Sequence, residues 1–252
     1  MIPKIIHYCW ISDNPFPETV VKCMDSWKIC MPDYHLVIWD RERCLSTNIK
    51  FISDAIKRKK YAFAADVIRA YALYNWGGIY FDSDILLKKN LEPLLTNKYV
   101  TFMEVYPEEG QRKIWRDKTG KIIRINGIAV QAAVMASEKG HPFLAEVLDF
   151  YSNRRFNFRT KKYFMDFVAT TIQSQILLKY GFRFVDEKQI LENGITIYPS
   201  ALFESGPEQI RSESYGTHLC LGGWRPKKNR FDMIIYKIKR LTYIVYRLAC
   251  RR

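Results

Sequence analysis

The 252 residues (29.8 kDa) are 48% hydrophobic and 15% aromatic, enough to build a core, which excludes a disordered or fibrous chain. Forty Lys and Arg against 26 Asp and Glu leave a net charge of +14, a surplus that suits polyanionic partners. Six scattered cysteines without a Cys-x-x-Cys pair speak against structural zinc, and neither a secretory signal nor a run of ~18 apolar residues is seen, so the reading expects a cytoplasmic protein with reduced thiols.

In chain order, residues 2–11 read as a buried strand, stopped at Ser12-Asp13-Asn14-Pro15. Residues 18–31 place Val20, Val21, Met24 and Trp27 at helical spacing up to Pro32-Asp33, and residues 34–39 are a strand again. Strand, helix, strand at this spacing predicts a βαβ unit with parallel pairing. Asp40-Arg41-Glu42 is predicted as a loop, and residues 49–76 as helix broken near Arg58-Lys59-Lys60. Gly77-Gly78 ends that helix, because glycine adopts the left-handed backbone a helix end requires. Ile79-Tyr80-Phe81 is a short strand, with further strands at 99–105, 128–135, 195–198 and 217–221, and a hairpin at 113–125 turning on Asp117-Lys118-Thr119-Gly120. Residues 142–151 and 164–180 read as helices, the second ended by Gly181. The pattern predicts one α/β domain over residues 1–225.

Residues 226–252 differ. Nine Lys or Arg and one acid put +8 on this segment and leave +6 for residues 1–225. Phe231, Ile234, Ile235, Ile238, Leu241, Val245 and Leu248 form one apolar stripe, with Tyr236, Tyr243 and Tyr246 at its flanks. Such a stripe suits packing on the domain, but the cationic surplus favours a basic amphipathic helix on an anionic membrane surface. It also weakens the case for nucleic acid, since the remaining charge is modest and shows no helix-turn-helix, RNA-recognition or zinc-finger pattern.

The segment Asn75-Trp-Gly-Gly-Ile-Tyr-Phe-Asp-Ser-Asp84 carries the most chemical information. Two carboxylates at i and i+2 of an extended chain share a side, ~7 Å apart. At the carboxyl end of a parallel strand, where α/β sheets bind ligands, such a pair holds a hard divalent cation together with water and phosphate oxygens. Upstream, Asp66 and Arg69 share one face of an otherwise apolar helical segment. A charged pair there points to a polar cavity, the carboxylate accepting sugar hydroxyls and the guanidinium meeting phosphate or sugar oxygens.

These residues, in this order, resemble glycosyltransferase family 32: Ile2-Pro-Lys-Ile-Ile-His-Tyr-Cys-Trp10, Ala65-Asp66-x-x-Arg69, Gly77-Gly-Ile-Tyr-Phe-Asp-Ser-Asp84, and His218 with Trp224. The similarity extends to Lys139-Gly-His-Pro-Phe143 and Gly194-Ile-Thr-Ile-Tyr-Pro199. The resemblance implies an α/β, GT-A-like, mostly parallel sheet flanked by helices. It also implies a retaining transfer of a hexose from a nucleotide sugar with Mn²⁺ or Mg²⁺; uridine is the base we expect, guanosine the second. By this likeness Trp10 stacks on the base, Asp66 and Arg69 hold the donor sugar, and Asp82 and Asp84 bind ribose and metal. His218 then sits near the metal and diphosphate, and Trp224 closes over the diphosphate.

Leu219 and Gly223 stand where bacterial members tend to carry a second His and a Ser, and Ala169-Thr-Thr-Ile-Gln173 replaces a Pro-containing stretch on the acceptor side. The expected acceptor is a glycan, lipid-linked, used in cell-surface polysaccharide synthesis at the inner face of the membrane. Two competing readings are a toxin-like transferase that glycosylates a protein and a basic nucleic-acid-binding module. The acids of the Asp-x-Asp segment would repel phosphate and argue against the latter.

Overall fold

Ile5–Cys9 (β1), Glu18–Cys30 (α1) and His35–Trp39 (β2) make the predicted βαβ unit, with β1 and β2 parallel from Ile5↔His35 to Cys9↔Trp39. The computed structural model describes residues 1–105, 113–120, 122–156, 168–206 and 212–221. Trp224, Gly223 and the expected C-terminal helix at 226–252 lie outside these residues. Among the described residues, no helix is long and apolar enough to cross a membrane.

The expected loop after β2 is instead a helical turn, Arg41–Leu45 (α2), because the Asp40 side chain accepts a hydrogen bond from the Arg43 amide at 2.8 Å and caps it. Lys50–Lys57 (α3) and Tyr61–Trp76 (α4) follow, broken where expected. Next come Gly78–Phe81 (β3), Ile85–Leu87 (β4), Tyr99–Val105 (β5), the hairpin Lys113–Arg116 and Ile122–Asn126 (β6, β7), and Ile128–Ser137 (β8). Pro142–Ser152 (α5) and Ala169–Leu177 (α6) precede Gln189–Leu191 (β9), Ile195–Tyr198 (β10), Phe203–Ser205 (β11) and Gly216–His218 (β12).

The main sheet has the order β2-β1-β3-β8-β5-β10-β9. Five strands run one way, and β8 and β9 oppose them. This is the predicted mostly parallel α/β arrangement. A second sheet, β11-β12-β4, stands beside it. One core cluster packs residues of α3, α4, α5 and α6 on one face of the main sheet, and another packs α1 and the second sheet on the other. α4 is buried nearly all round, from Phe63 to Leu73, as its apolar composition requires.

Gly77 and Gly78 have φ of 67° and 101°. A Cβ on Gly77 would lie 2.8 Å from Pro3 and 2.9 Å from the Lys139 amide, and one on Gly78 would lie 2.5 Å from the Ile5 carbonyl. The pair therefore does more than end α4: it lets β3 start flush against β1.

His7, in the middle of β1, is 2% exposed. Its Nε2 lies 3.0 Å from the Gly77 carbonyl, and its Nδ1 accepts from Trp39 Nε1 at 3.3 Å. Burial holds the imidazole neutral, with its pKa pushed down to about 4 despite the Gly77 carbonyl. The native state thus refuses a proton that the unfolded chain accepts below about 6.5. Stability supplied by neutral His7 is present above pH 6.5 and is lost as pH falls toward 4. A denaturant titration should show the wild type losing about 3 kcal/mol more than His7→Gln between pH 7 and pH 4; parallel losses would refute the assignment.

Candidate functional site

β1 and β3 are parallel neighbours, Tyr8 pairing with Phe81, so Trp10 and Asp82 leave adjacent carboxyl ends. Past Phe81 the chain does not stay extended. The Ile85 amide donates to the Asp82 carbonyl at 3.1 Å, closing a tight turn that feeds β4. The ~7 Å separation expected of an extended Asp-x-Asp is therefore replaced by a convergent one: Asp82, Asp84 and His218 offer ligand atoms all within 4.8 Å of one another.

His218 arrives from the far end of the chain on β12, antiparallel to β4 and opposite Ile85. Its Nε2 lies 3.3 Å from Asp84 Oδ1, while the Leu221 amide donates to Asp84 Oδ2 at 2.9 Å and the Leu219 amide to the Asp84 carbonyl at 3.0 Å. Cys220, between those two amides, takes a φ of 52°, which turns the chain back toward the carboxylate. Burial alone would raise the Asp84 carboxyl, but the His218 bond and charge and the Leu221 amide hold it below the usual carboxylate range. Burial opposes charge on His218 as well, yet its contacts with Asp84 and Cys220 hold its pKa well above the ordinary imidazole value. Two carboxylates and one imidazole at this spacing fit a hard or borderline divalent ion such as Mn²⁺ or Mg²⁺, which would take the place of the imidazolium proton.

Arg69 sets the second half of the site. It is 5% exposed; its Nη2 lies 2.9 Å from Asp66 Oδ1 and 3.2 Å from Asp82 Oδ1. Nε donates to the Ala65 carbonyl at 3.3 Å and Nη1 to the Ala132 carbonyl at 2.5 Å, with the Tyr80 ring 5.1 Å away. One guanidinium thus serves two carboxylates. Burial outweighs its attraction at Asp66, pushing that carboxyl up to about 7, with the Asp82 charge adding to the rise. Arg69 itself is held charged, the two carboxylates exceeding the cost of its burial. Trp10 sits half-buried at the rim, its indole N–H donating to the Asn14 carbonyl at 2.8 Å and its ring 4.9 Å from Phe16.

Residues 17–101, which contain Asp66, Arg69, Asp82 and Asp84, match the family described as glycosyltransferase sugar-binding region containing DXD motif. The match covers about a third of the chain and includes both aspartates of the Asp-x-Asp segment. The chain is 32% identical over 161 residues to inositol phosphoceramide mannosyltransferase 3 of Schizosaccharomyces pombe, covering 62% of this chain and 39% of the relative. It is also 26% identical over 260 residues to inositol phosphoceramide mannosyltransferase 2 of the same yeast, covering 99% of this chain and 65% of the relative. The chain thus spans less than two thirds of these relatives' own length. A solved structure titled PaToxG Glycosyltransferase is similar with a TM-score of 0.48 and 19% identity, over 71% of this chain and 69% of that one.

Two supports of this site gave no signal in the sequence. The first is an irregularity where β8 passes the end of β3. Thr101 pairs with Met135 but Met103 pairs with Val130, so Gln131–Val134 oppose a single residue of β5. Three carbonyls on the irregular stretch serve side chains: those of Gln131 and Val134 accept the Thr101 hydroxyl at 2.8 and 3.0 Å, and that of Ala132 accepts Arg69. The Ala133 carbonyl accepts the Asp82 amide at 2.9 Å, carrying the β3–β8 ladder one step past Phe81. Bulges next to functional sites commonly re-aim groups in this way. The second is the start of α6, whose Ala169 amide donates to Asp66 Oδ2 at 3.3 Å. Both depend on backbone groups, which side-chain patterns do not reveal.

Proposed function

We propose that this protein transfers a hexose from a nucleotide diphosphate sugar to a glycan hydroxyl, with retention of configuration. The observation that carries the reading is the meeting of Asp82 and Asp84 with His218, beside the Asp66–Arg69–Asp82 relay. The names of the yeast relatives make mannose the first donor hexose to try, on guanosine as well as uridine diphosphate.

In this reading Asp82, Asp84 and His218 would hold Mn²⁺ or Mg²⁺, and the bound ion would supply Lewis-acid charge to a donor diphosphate. Trp10 offers a ring face to the base. Asp66, fixed by Arg69 and the Ala169 amide, accepts hydrogen bonds from sugar hydroxyls. Arg69 does not reach outward; its work is to keep Asp66 and Asp82 in place. The acceptor proton passes to the leaving phosphate on the face from which the acceptor attacks.

A thermal-shift panel of UDP- and GDP-sugars, with and without Mn²⁺, tests the reading. At about 100 times Kd a selective donor adds about 2.7 kcal/mol, a rise in Tm of about 5 °C or more, and it should do so only with the metal. No shift from any nucleotide sugar would refute it.

The acceptor is proposed to be lipid-linked and the protein to dock on an anionic membrane surface through residues 226–252. Relatives named for acting on inositol phosphoceramide, a lipid, support the idea. Deleting Phe231–Arg252 should lower sedimentation with anionic vesicles by about tenfold or more, since each basic residue at the surface is worth about 1 kcal/mol, and leave donor hydrolysis largely intact. Equal sedimentation of both forms at low salt would reject the docking.

A further inference from the structure

Beside the Asp82–Asp84–His218 triad lies a second set of polar side chains without a role so far. Ser205, at the end of β11, is the register partner of His218 on β12. Their backbones are therefore about 4.8 Å apart and their side chains leave the same face of the small sheet. Gln131 Nε2 donates to Ser205 Oγ at 3.3 Å, and Ser205 Oγ donates to Glu104 Oε1 at 3.5 Å. The three residues come from β8, β11 and β5, and they close the seam where the two sheets meet at their ligand ends.

Gln131 is fully buried and Glu104 is 7% exposed. With its amide nitrogen engaged by Ser205, Gln131 keeps a buried Oε1 that has no hydrogen-bond partner among the described residues. A buried acceptor is rarely left without a donor in a folded protein. Its position says where that donor comes from. Gln131 opens the bulge and is followed directly by Ala132, whose carbonyl holds Arg69, while on its other side Ser205 leads to His218. Gln131 thus stands one residue from the carbonyl that holds Arg69 and, through Ser205, one register step from His218, so a sugar held at the proposed site is the neighbouring source of hydroxyl donors.

We infer that Gln131, supported by Ser205 and Glu104, is the subsite that reads the hydroxyl pattern of the donor hexose. The inference rests on the proposed donor binding and deepens it. An amide oxygen and a carboxylate are acceptors, and a hexose ring presents hydroxyl donors whose directions differ between epimers. A site that hydrogen-bonds a substrate hydroxyl discriminates strongly against a donor that places it elsewhere, because the buried acceptor is then left unpaired.

The test uses the full chain with Mn²⁺ and four donors, UDP-glucose against UDP-galactose and GDP-mannose against GDP-glucose. Gln131→Leu keeps the volume and removes the acceptor. Its ratio of kcat/KM between epimers on the same nucleotide should shrink by about tenfold or more, while the affinities for UDP and GDP stay within about twofold of the wild type. Ser205→Ala, which frees the Gln131 amide without touching the bulge, should change the ratio in the same direction by a smaller factor and serves if Gln131→Leu fails to fold. An unchanged epimer ratio in a wild type that binds donor rejects the subsite alone. So does a fall in nucleoside diphosphate affinity that matches the fall for the nucleotide sugar, since that marks a structural role. A wild type that binds none of the four donors overturns both this inference and the proposed function.

Discussion

Asp84→Ala should lower the proposed metal-dependent hexose transfer by about 10³-fold or more, the scale seen when charge stabilisation aimed at a developing anion is removed. Asp84 is the better of the two acids to test, because its carboxylate faces His218 and the Leu221 amide, whereas Asp82 also anchors Arg69. The fold should survive: the site lies in a turn between β3 and β4, and the loss of two hydrogen bonds costs about 1–3 kcal/mol. Mn²⁺ titration should show the weakened metal affinity directly. Asp84→Asn keeps the shape and the acceptor oxygen and should fall between wild type and alanine. An alanine variant with wild-type turnover and wild-type Mn²⁺ affinity would end the metal assignment.

Arg69→Met is expected to harm both stability and turnover. Removing the guanidinium leaves Asp66 and Asp82 facing each other in a buried site, and breaking such a pair from one side costs about 3–5 kcal/mol. For a chain of this size that is a fall in Tm of about 10 °C. Donor turnover should drop by at least about 10²-fold, because misplacement of positioning groups by even an ångström is felt at this level. Arg69→Lys restores charge but not the planar fork that meets two carboxylates and two carbonyls together, so it should recover part of the stability and little of the activity. Asp66→Asn supplies the complementary measurement. Burial holds the Asp66 carboxyl up to about 7, so at neutral pH its charge is a cost to the fold. The Asn change placed in the Arg69→Met background should regain stability without regaining turnover. An Arg69→Met protein as stable as the wild type would show that the guanidinium does not neutralise the pair.

The residues alone determined the parts of this protein that depend on local pattern. Alternation and apolar runs placed β1, β2, β3, β5, β8 and β10, the break between α3 and α4, and the hairpin on Asp117–Gly120. The twin glycine before Asp-x-Asp marked the strand end that carries the site. All of these follow from short-range sterics and burial, which a residue and its near neighbours already specify. The short strands β4, β9 and β11 escaped, since three residues carry too little periodicity to register, and α2 escaped because its signal is a single capping aspartate.

Only the tertiary structure decided how close the two aspartates come and what Arg69 is for. The turn at Asp82–Ile85 is set by β4 pairing with β12 from the other end of the chain, and that pairing delivers His218. The grip on Arg69 comes partly from a carbonyl released by a bulge in β8, that on the Asp82 amide from the β3–β8 ladder, and the grip on Asp66 partly from the first amide of α6. Backbone groups are the same at every position, so no choice of side chain announces which of them will be left free. Where they point is a property of register and strand crossing, and register is settled by long-range pairing rather than by any segment alone.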